Sequence, residues 1–210
     1  MLSLANIQLE LSAREKHSSR QENALLDKAT ELYRAVLLQE PNNVFAANGL
    51  GVVCAKKGRF AEARSIFTSV RDASVEGADM ALANLGQLHA LQREPLAAVG
   101  LYQKAQRRAK GAPPASLLAL EARAHFDAGP LPEARRVLSR ALRQRPPDLT
   151  TVHSCGVVLL LGAEPARNET GPRPLPTVQR AQADVSLAAQ LLRSIEEAAE
   201  PHRVAAAAAG

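Results

Sequence analysis

Residues 49–67 read GLGVVCAKKGRFAEARSIF, and the spacing of small and large residues in this stretch decides the fold. Counting from Gly51, Gly58 stands at offset seven, Ala63 at twelve and Phe67 at sixteen. The offsets recur downstream. From Gly86, Ala98 lies at twelve and Tyr102 at sixteen; from Ala122, Gly129, Ala134 and Leu138 lie at seven, twelve and sixteen. The three starting points, Gly51, Gly86 and Ala122, are 35 and 36 residues apart. Upstream, Ala29, Tyr33 and Pro41 fit the second helix of an earlier copy, whose first helix is expected over residues 2–19.

A recurrence of this length marks a helical array, and the tetratricopeptide repeat has roughly 34 residues per helix pair. The chemistry of each position agrees. Gly51, Gly86 and Ala122 are small, so the first helix of a pair can approach the second closely. Ala63, Ala98 and Ala134 do the same from the second helix. Phe67, Tyr102 and Leu138 are the knobs that fill the space between them. Gly58 and Gly129 end the first helix, where a left-handed residue is needed. Pro41 and Pro146 stop the second, because proline cannot continue a helix. In the copy that starts at Gly86, Arg93-Glu94-Pro95 replaces the glycine turn, and Pro95 is expected to open the next helix. A single pair cannot bury its own apolar face, so stacking must supply the core. The expected fold is all-α, a right-handed superhelical solenoid of tetratricopeptide-type helix pairs.

Composition points the same way. The chain has 210 residues, 46% of them hydrophobic and only 3% aromatic, with no Trp. A core of Ala, Leu and Val poor in aromatics favours helices packed at short distance. After Pro147 the pattern loosens. Residues 1–163 are read as about four repeats plus the first helix of a fifth, 164–176 as a Pro-rich loop insertion, 177–200 as a delayed closing helix, and 201–210 as a low-complexity tail. That Ala-rich ending does not resemble a polar capping helix, and the chain is expected to be part of a longer array.

Several function classes are disfavoured. The 26 basic and 21 acidic residues, net charge +5, are interspersed along the chain. No basic residue alternates with a stacking aromatic, which argues against direct nucleic-acid binding. Cys54 and Cys155 form no CxxC and have no histidine at metal-ligand spacing, so both read as buried thiols in a reducing compartment. The start, Met1 to Ala5, lacks the basic and apolar regions of a signal peptide. The longest apolar run, Cys155 to Ala163, is too short to span a bilayer. The five histidines are scattered, no phosphate loop occurs, and no catalytic residue, metal ligand or cofactor is assigned. His89 and His125 fall three residues after the small position of their repeats, which is expected to give them a packing role.

The chemistry left is recognition of other proteins. First helices of stacked pairs line a concave groove. In register it would show Phe45, Asn48, Val52 and Lys56, then Met80, Ala83, Gln87 and Leu91, then Ser116, Ala119, Arg123 and Asp127. Phe45, Asn48, Lys56, Met80, Gln87, Arg123 and Asp127 are the candidate partner contacts. Val52 and Leu91 stand where a polar clamp for a terminal carboxylate would need charge, which disfavours a receptor for chaperone tails.

One stretch is more specific than the repeat pattern. Ala46-Ala47-Asn48-Gly49-Leu50-Gly51, then Lys57 to Phe60, Glu62 to Arg64, and Phe67 to Arg71 resemble the large tetratricopeptide subunit of the polymerase-associated factor (PAF) complex. The resemblance covers about residues 20–200 and is strongest over 29–75. It implies a nuclear scaffold that holds other PAF-complex subunits, touches RNA polymerase II during transcription elongation, and supports histone modification indirectly. Two other readings stand beside it: a generic cytosolic adaptor or co-chaperone for short peptides, and a noncatalytic part of a larger enzyme.

Overall fold

The computed structural model describes residues 1–14, 19–73, 77–109, 111–129, 131–143, 152–153, 156–160, 179, 182–190 and 193. The described residues contain helices and no strand. They form α1 (Leu2–Arg14), α2 (Ser19–Gln39), α3 (Val44–Lys56), α4 (Phe60–Ala73), α5 (Ala78–Leu91), α6 (Pro95–Arg108), α7 (Ala115–Ala128) and α8 (Leu131–Leu142). The chain divides into two compact units, Met1–Lys110 and Gly111–Gly210.

In the first unit α1 packs on α2, α3 on α4 and α5 on α6, while α2 meets α3 and α4 meets α5. The first helices also touch one another, α1 with α3 and α3 with α5. This is the pattern of stacked helix pairs. One cluster joins Ala5, Leu26, Ala29, Tyr33, Val36, Ala46 and Val53. The next joins Cys54, Ala63, Phe67, Leu85 and Leu88. A neighbour is thus needed for each pair to bury its face.

Missing Cβ atoms set the spacing. A Cβ on Gly51 would stand 2.5 Å from Phe67 Cε1, and one on Gly86 would stand 2.6 Å from Tyr102 Cε1. Carbon atoms in contact keep about 3.5–4.0 Å, so only glycine fits. A Cβ on Gly49 would meet the Tyr33 ring at 2.3 Å. Tyr33 therefore wedges between successive pairs, and its hydroxyl donates to Asn6 Oδ1 at 2.7 Å.

The turns follow from local chemistry. Asn43 caps α3 by accepting from the Ala46 N–H at 2.9 Å. At the other end Arg59 N–H bonds Cys54 O and Gly58 N–H bonds Ala55 O, with Gly58 at φ +74°. This is the paired bonding that closes a helix through a left-handed residue. The turn after α5 repeats it: Glu94 N–H bonds His89 O and Arg93 N–H bonds Ala90 O. Here Arg93 takes the left-handed place at φ 63°. Pro95 then opens α6. An arginine there bears a strain of about 1 kcal/mol that glycine would relieve, partly offset by the freedom of glycine in the unfolded chain. Arg93→Gly is expected to stabilise the protein by about 0.5 kcal/mol. In a calorimetric scan this would show as a rise of roughly a degree or two in the thermal midpoint, as expected for a chain of this size.

In the second unit α7 packs on α8. Its core gathers Leu118, Ala122, Ala134, Val137, Leu138 and Ala141 with Val158, Leu159 and Ala188. Residues 182–190 are helical, and Asp184 pairs with Arg135 of α8. Gly129 closes α7 at φ +105°.

Two details differ from the sequence reading. The first helix ends at Arg14 instead of 19, and α2 begins at Ser19. Ser18 and Ser19 favour a helix start over a helix interior, and no glycine marks the boundary. The loop at 164–176, the tail at 201–210, Pro146 and Cys155 lie outside the described residues.

Candidate functional site

α3 and α5, two successive first helices in contact, carry the central part of the expected groove. Asn43 fixes where α3 begins and Gly77 where α5 begins, so corresponding turns come side by side. Phe45, in the first turn of α3, is 46% exposed although it is a large apolar ring. Lys56 and Gln87 are exposed, while Val52, Met80 and Ala83 are half-buried. Leu91, at the end of α5, is 63% exposed. The unit thus presents an apolar strip edged by one lysine and one amide.

Asn48 departs from the expected open position. It is only 7% exposed, and its Oδ1 accepts from Asn84 Nδ2 at 2.8 Å. The reason is that Asn84 occupies the neighbouring first helix one repeat on, so the two amides satisfy each other across the stack. Asn48 is a tie between α3 and α5 before it is a contact for a partner. Ala119 is buried in α7 and does not face solvent.

Arg123 and Asp127 lie in the second unit, on α7, both exposed, with Arg123 Nε 3.0 Å from Asp127 Oδ1. Such exposed pairs contribute little to stability and leave both charges at the surface. Ser116 is exposed on the same helix.

The packing positions fall as follows. Ala63, Ala98, Ala122 and Ala134 have no exposed surface, and Phe67 and Tyr102 have almost none. Burial raises the pKa of the Tyr102 hydroxyl well above the usual phenol range, and that of Tyr33 in the same direction. Burial also pushes the Cys54 thiol up, the opposite of what a nucleophile needs. His89 and His125 each stand near a glutamate: His89 Nδ1 is 2.5 Å from Glu94 Oε2, and His125 Nε2 is 3.7 Å from Glu121 Oε1. Among the described residues, no group of three or more His, Cys, Asp or Glu could hold a metal ion. Among them too, no helix is long and apolar enough to cross a membrane.

Sequence reasoning missed a second feature. A cleft of about 710 Å³ opens between the end of α2, the turn at 40–43, α3 and α4. Leu37, Val44, Leu50, Ile66 and Val70 are among its apolar lining, with Asn42, Asn43, Ser65 and Ser69 as its polar groups. Its walls come from three separate segments, and no single motif announces such a space.

Helix pairs repeating at this period, with a small residue of one helix against an aromatic of the other, define a tetratricopeptide-type repeat protein. Solved structures share the fold. MamA superposes with a TM-score of 0.61 at 17% identity, over 85% of this chain and 95% of MamA. A putative kinesin light chain of Podospora anserina with tetratricopeptide-like repeats gives 0.57 at 18%, over 97% and 99%. No protein-family model matches the chain.

In sequence the chain is related to a segment of the CTR9 proteins. It is 32% identical to the CTR9 homolog of Arabidopsis thaliana over 149 residues, which is 69% of this chain and 14% of that protein. The RNA polymerase-associated protein CTR9 of Caenorhabditis elegans is 29% identical over 142 residues, 68% of this chain and 12% of the relative. That of Saccharomyces cerevisiae is 33% identical over 109 residues, 49% and 10%. The resemblance to the PAF-complex subunit read from residues 46–73 is the relationship these comparisons find. The chain spans between 10% and 14% of the length of these relatives.

Proposed function

We propose that this chain is a noncatalytic protein-binding scaffold of the PAF complex, acting in the nucleus in RNA polymerase II transcription elongation and the histone modification that accompanies it. The observation that carries the reading is the relationship to CTR9 over about two thirds of the chain. Its partners are other PAF-complex subunits, with RNA polymerase II reached through the complex. They bind the strip of Phe45, Val52, Met80, Gln87 and Leu91, with Lys56 at its edge. Arg123 and Asp127 are further contacts in the second unit. An apolar groove edged by a few polar groups suits a helix or an extended segment laid along it. The reading requires no cofactor, no membrane and no direct hold on nucleic acid.

The test is affinity purification of the tagged chain from nuclear extract, followed by mass spectrometry. PAF subunits and RNA polymerase II are expected in the eluate. Phe45→Glu, at an exposed ring of the strip, is expected to lower their recovery on the order of tenfold, as for a central anchor of an interface. Recovery of chaperones without any elongation factor would overturn the reading in favour of a peptide-binding adaptor.

A further inference from the structure

We propose that the strip on α3 and α5 takes its partner as an extended polypeptide segment, held through its main chain by the side-chain amides of Asn48 and Asn84. This rests on the protein-binding reading above and names the form of the partner, an extended segment rather than a helix.

Asn84 Nδ2 donates to Asn48 Oδ1 at 2.8 Å. A primary amide carries two N–H donors and an oxygen with two lone pairs. The bond therefore uses one donor of Asn84 and one lone pair of Asn48. Asn48 Nδ2 and Asn84 Oδ1 have no partner among the described residues, and both atoms reach solvent. Asn48 is only 7% exposed, so an occupant seated over it removes its last water. A spare donor on one amide thus stands beside a spare acceptor on the other.

An extended chain presents the complement. A residue in a strand points its own N–H and C=O to the same side, which is how paired strands exchange two bonds between facing residues. The two asparagines offer the matching pair of groups from side chains. A helix keeps its main-chain N–H and C=O bonded internally except at its ends. Laid over this pair, its middle would leave both amides buried without partners, which native structures rarely tolerate.

The surroundings suit such a segment. Phe45 and Val52 stand about one helical turn to either side of Asn48, and Leu91 is exposed at the end of α5. A turn rises about 5.4 Å, close to the roughly 6.6 Å between alternate side chains of an extended chain. From Phe45 to Lys56 the helix rises about 16 Å, the reach of about five extended residues. Lys56 is the one charge of the strip, so a charged residue of the segment at that end is acidic.

The test uses the full chain and needs no PAF subunit. A phage-displayed library of random peptides, each about twelve residues long so that it outspans the strip, is panned on the chain. The most enriched sequence is synthesised and titrated by fluorescence anisotropy. Phe45→Glu, at an exposed ring, is expected to weaken its binding on the order of tenfold, which places the peptide on the strip. Each peptide N–H is then replaced in turn by an ester oxygen, which removes a donor and keeps every side chain. One or two positions should lose about five- to tenfold, the worth of a hydrogen bond. In Asn84→Ala, whose folding circular dichroism verifies, the same replacements should cost less than about twofold. Three results would overturn the proposal: no enriched peptide sensitive to Phe45→Glu, an ester series flat at every position, or losses spread over most positions and unchanged in Asn84→Ala, as a bound helix would give. The pattern across the parent series decides even without the variant. A flat series with PAF subunits still recovered from nuclear extract removes this inference and leaves the scaffold reading; the expected series with no PAF subunit recovered does the reverse.

Discussion

Gly51→Leu is expected to destabilise the protein by about 3 kcal/mol, at the upper end of what overpacking a core costs. The Cβ alone would lie 2.5, 2.9 and 3.0 Å from three carbons of the Phe67 ring. Phe67 has only 1% of its surface exposed, so the ring has no free space to swing into. Leucine has a higher helix propensity than glycine, a gain of somewhat under 1 kcal/mol that offsets only part of the clash. Gly100 in α6 supplies the control. A Cβ there meets nothing within 4 Å, so Gly100→Ala is expected to stabilise by about 0.5–1 kcal/mol through propensity alone. Urea denaturation followed by circular dichroism should move the midpoints of the two variants in opposite directions. A neutral Gly51→Leu would mean that α3 and α4 do not approach at this residue.

That contact was legible in the sequence because it depends on residue type at a fixed offset. A backbone that must come close to an aromatic ring requires a missing Cβ, so glycine and aromatic recur together sixteen residues apart at Gly51 and Phe67, and again at Gly86 and Tyr102. The turn at Arg93 was harder to read. The left-handed place is marked by glycine at residues 58 and 129 but held by arginine here, and the hydrogen bonds that enforce it belong to the backbone. The expected first helix over 2–19 runs into α2 for a related reason, since no glycine marks the boundary there.

The candidate site was less legible than the fold. Periodicity says which residues share a helix face, and it placed Phe45, Lys56, Gln87, Arg123 and Asp127 at exposed positions. It does not say which neighbour takes up a polar group. Asn48 and Asn84 are 36 residues apart, and only the stacking of α3 against α5 reveals that they bond to each other. The cleft beside α4 shares that character. It depends on what fails to cover a surface, which is a property of the assembled helices and of no one segment.

Phe67→Ala should be more damaging still, by about 3–5 kcal/mol, the usual range for emptying a buried aromatic site. A domain is held by only about 5–15 kcal/mol in all, so this one change removes a large share. The ring sits at a junction. It faces Gly51 of its own pair and shares a cluster with Leu85 and Leu88 of the next, so its loss loosens both the pair and the stack. Leu91→Ala, at a side chain already 63% exposed, should by contrast stay within about 0.5 kcal/mol. The informative measurement is the double variant Gly51→Leu/Phe67→Ala. The two single changes make opposite errors of volume at one contact, too much and too little. Leucine at 51 should occupy part of the hole left at 67, so the double variant should lose less than the sum of the singles by on the order of 1–3 kcal/mol. Strict additivity would show that residues 51 and 67 do not touch, and with that the pairing of α3 with α4 at this offset would have to be abandoned.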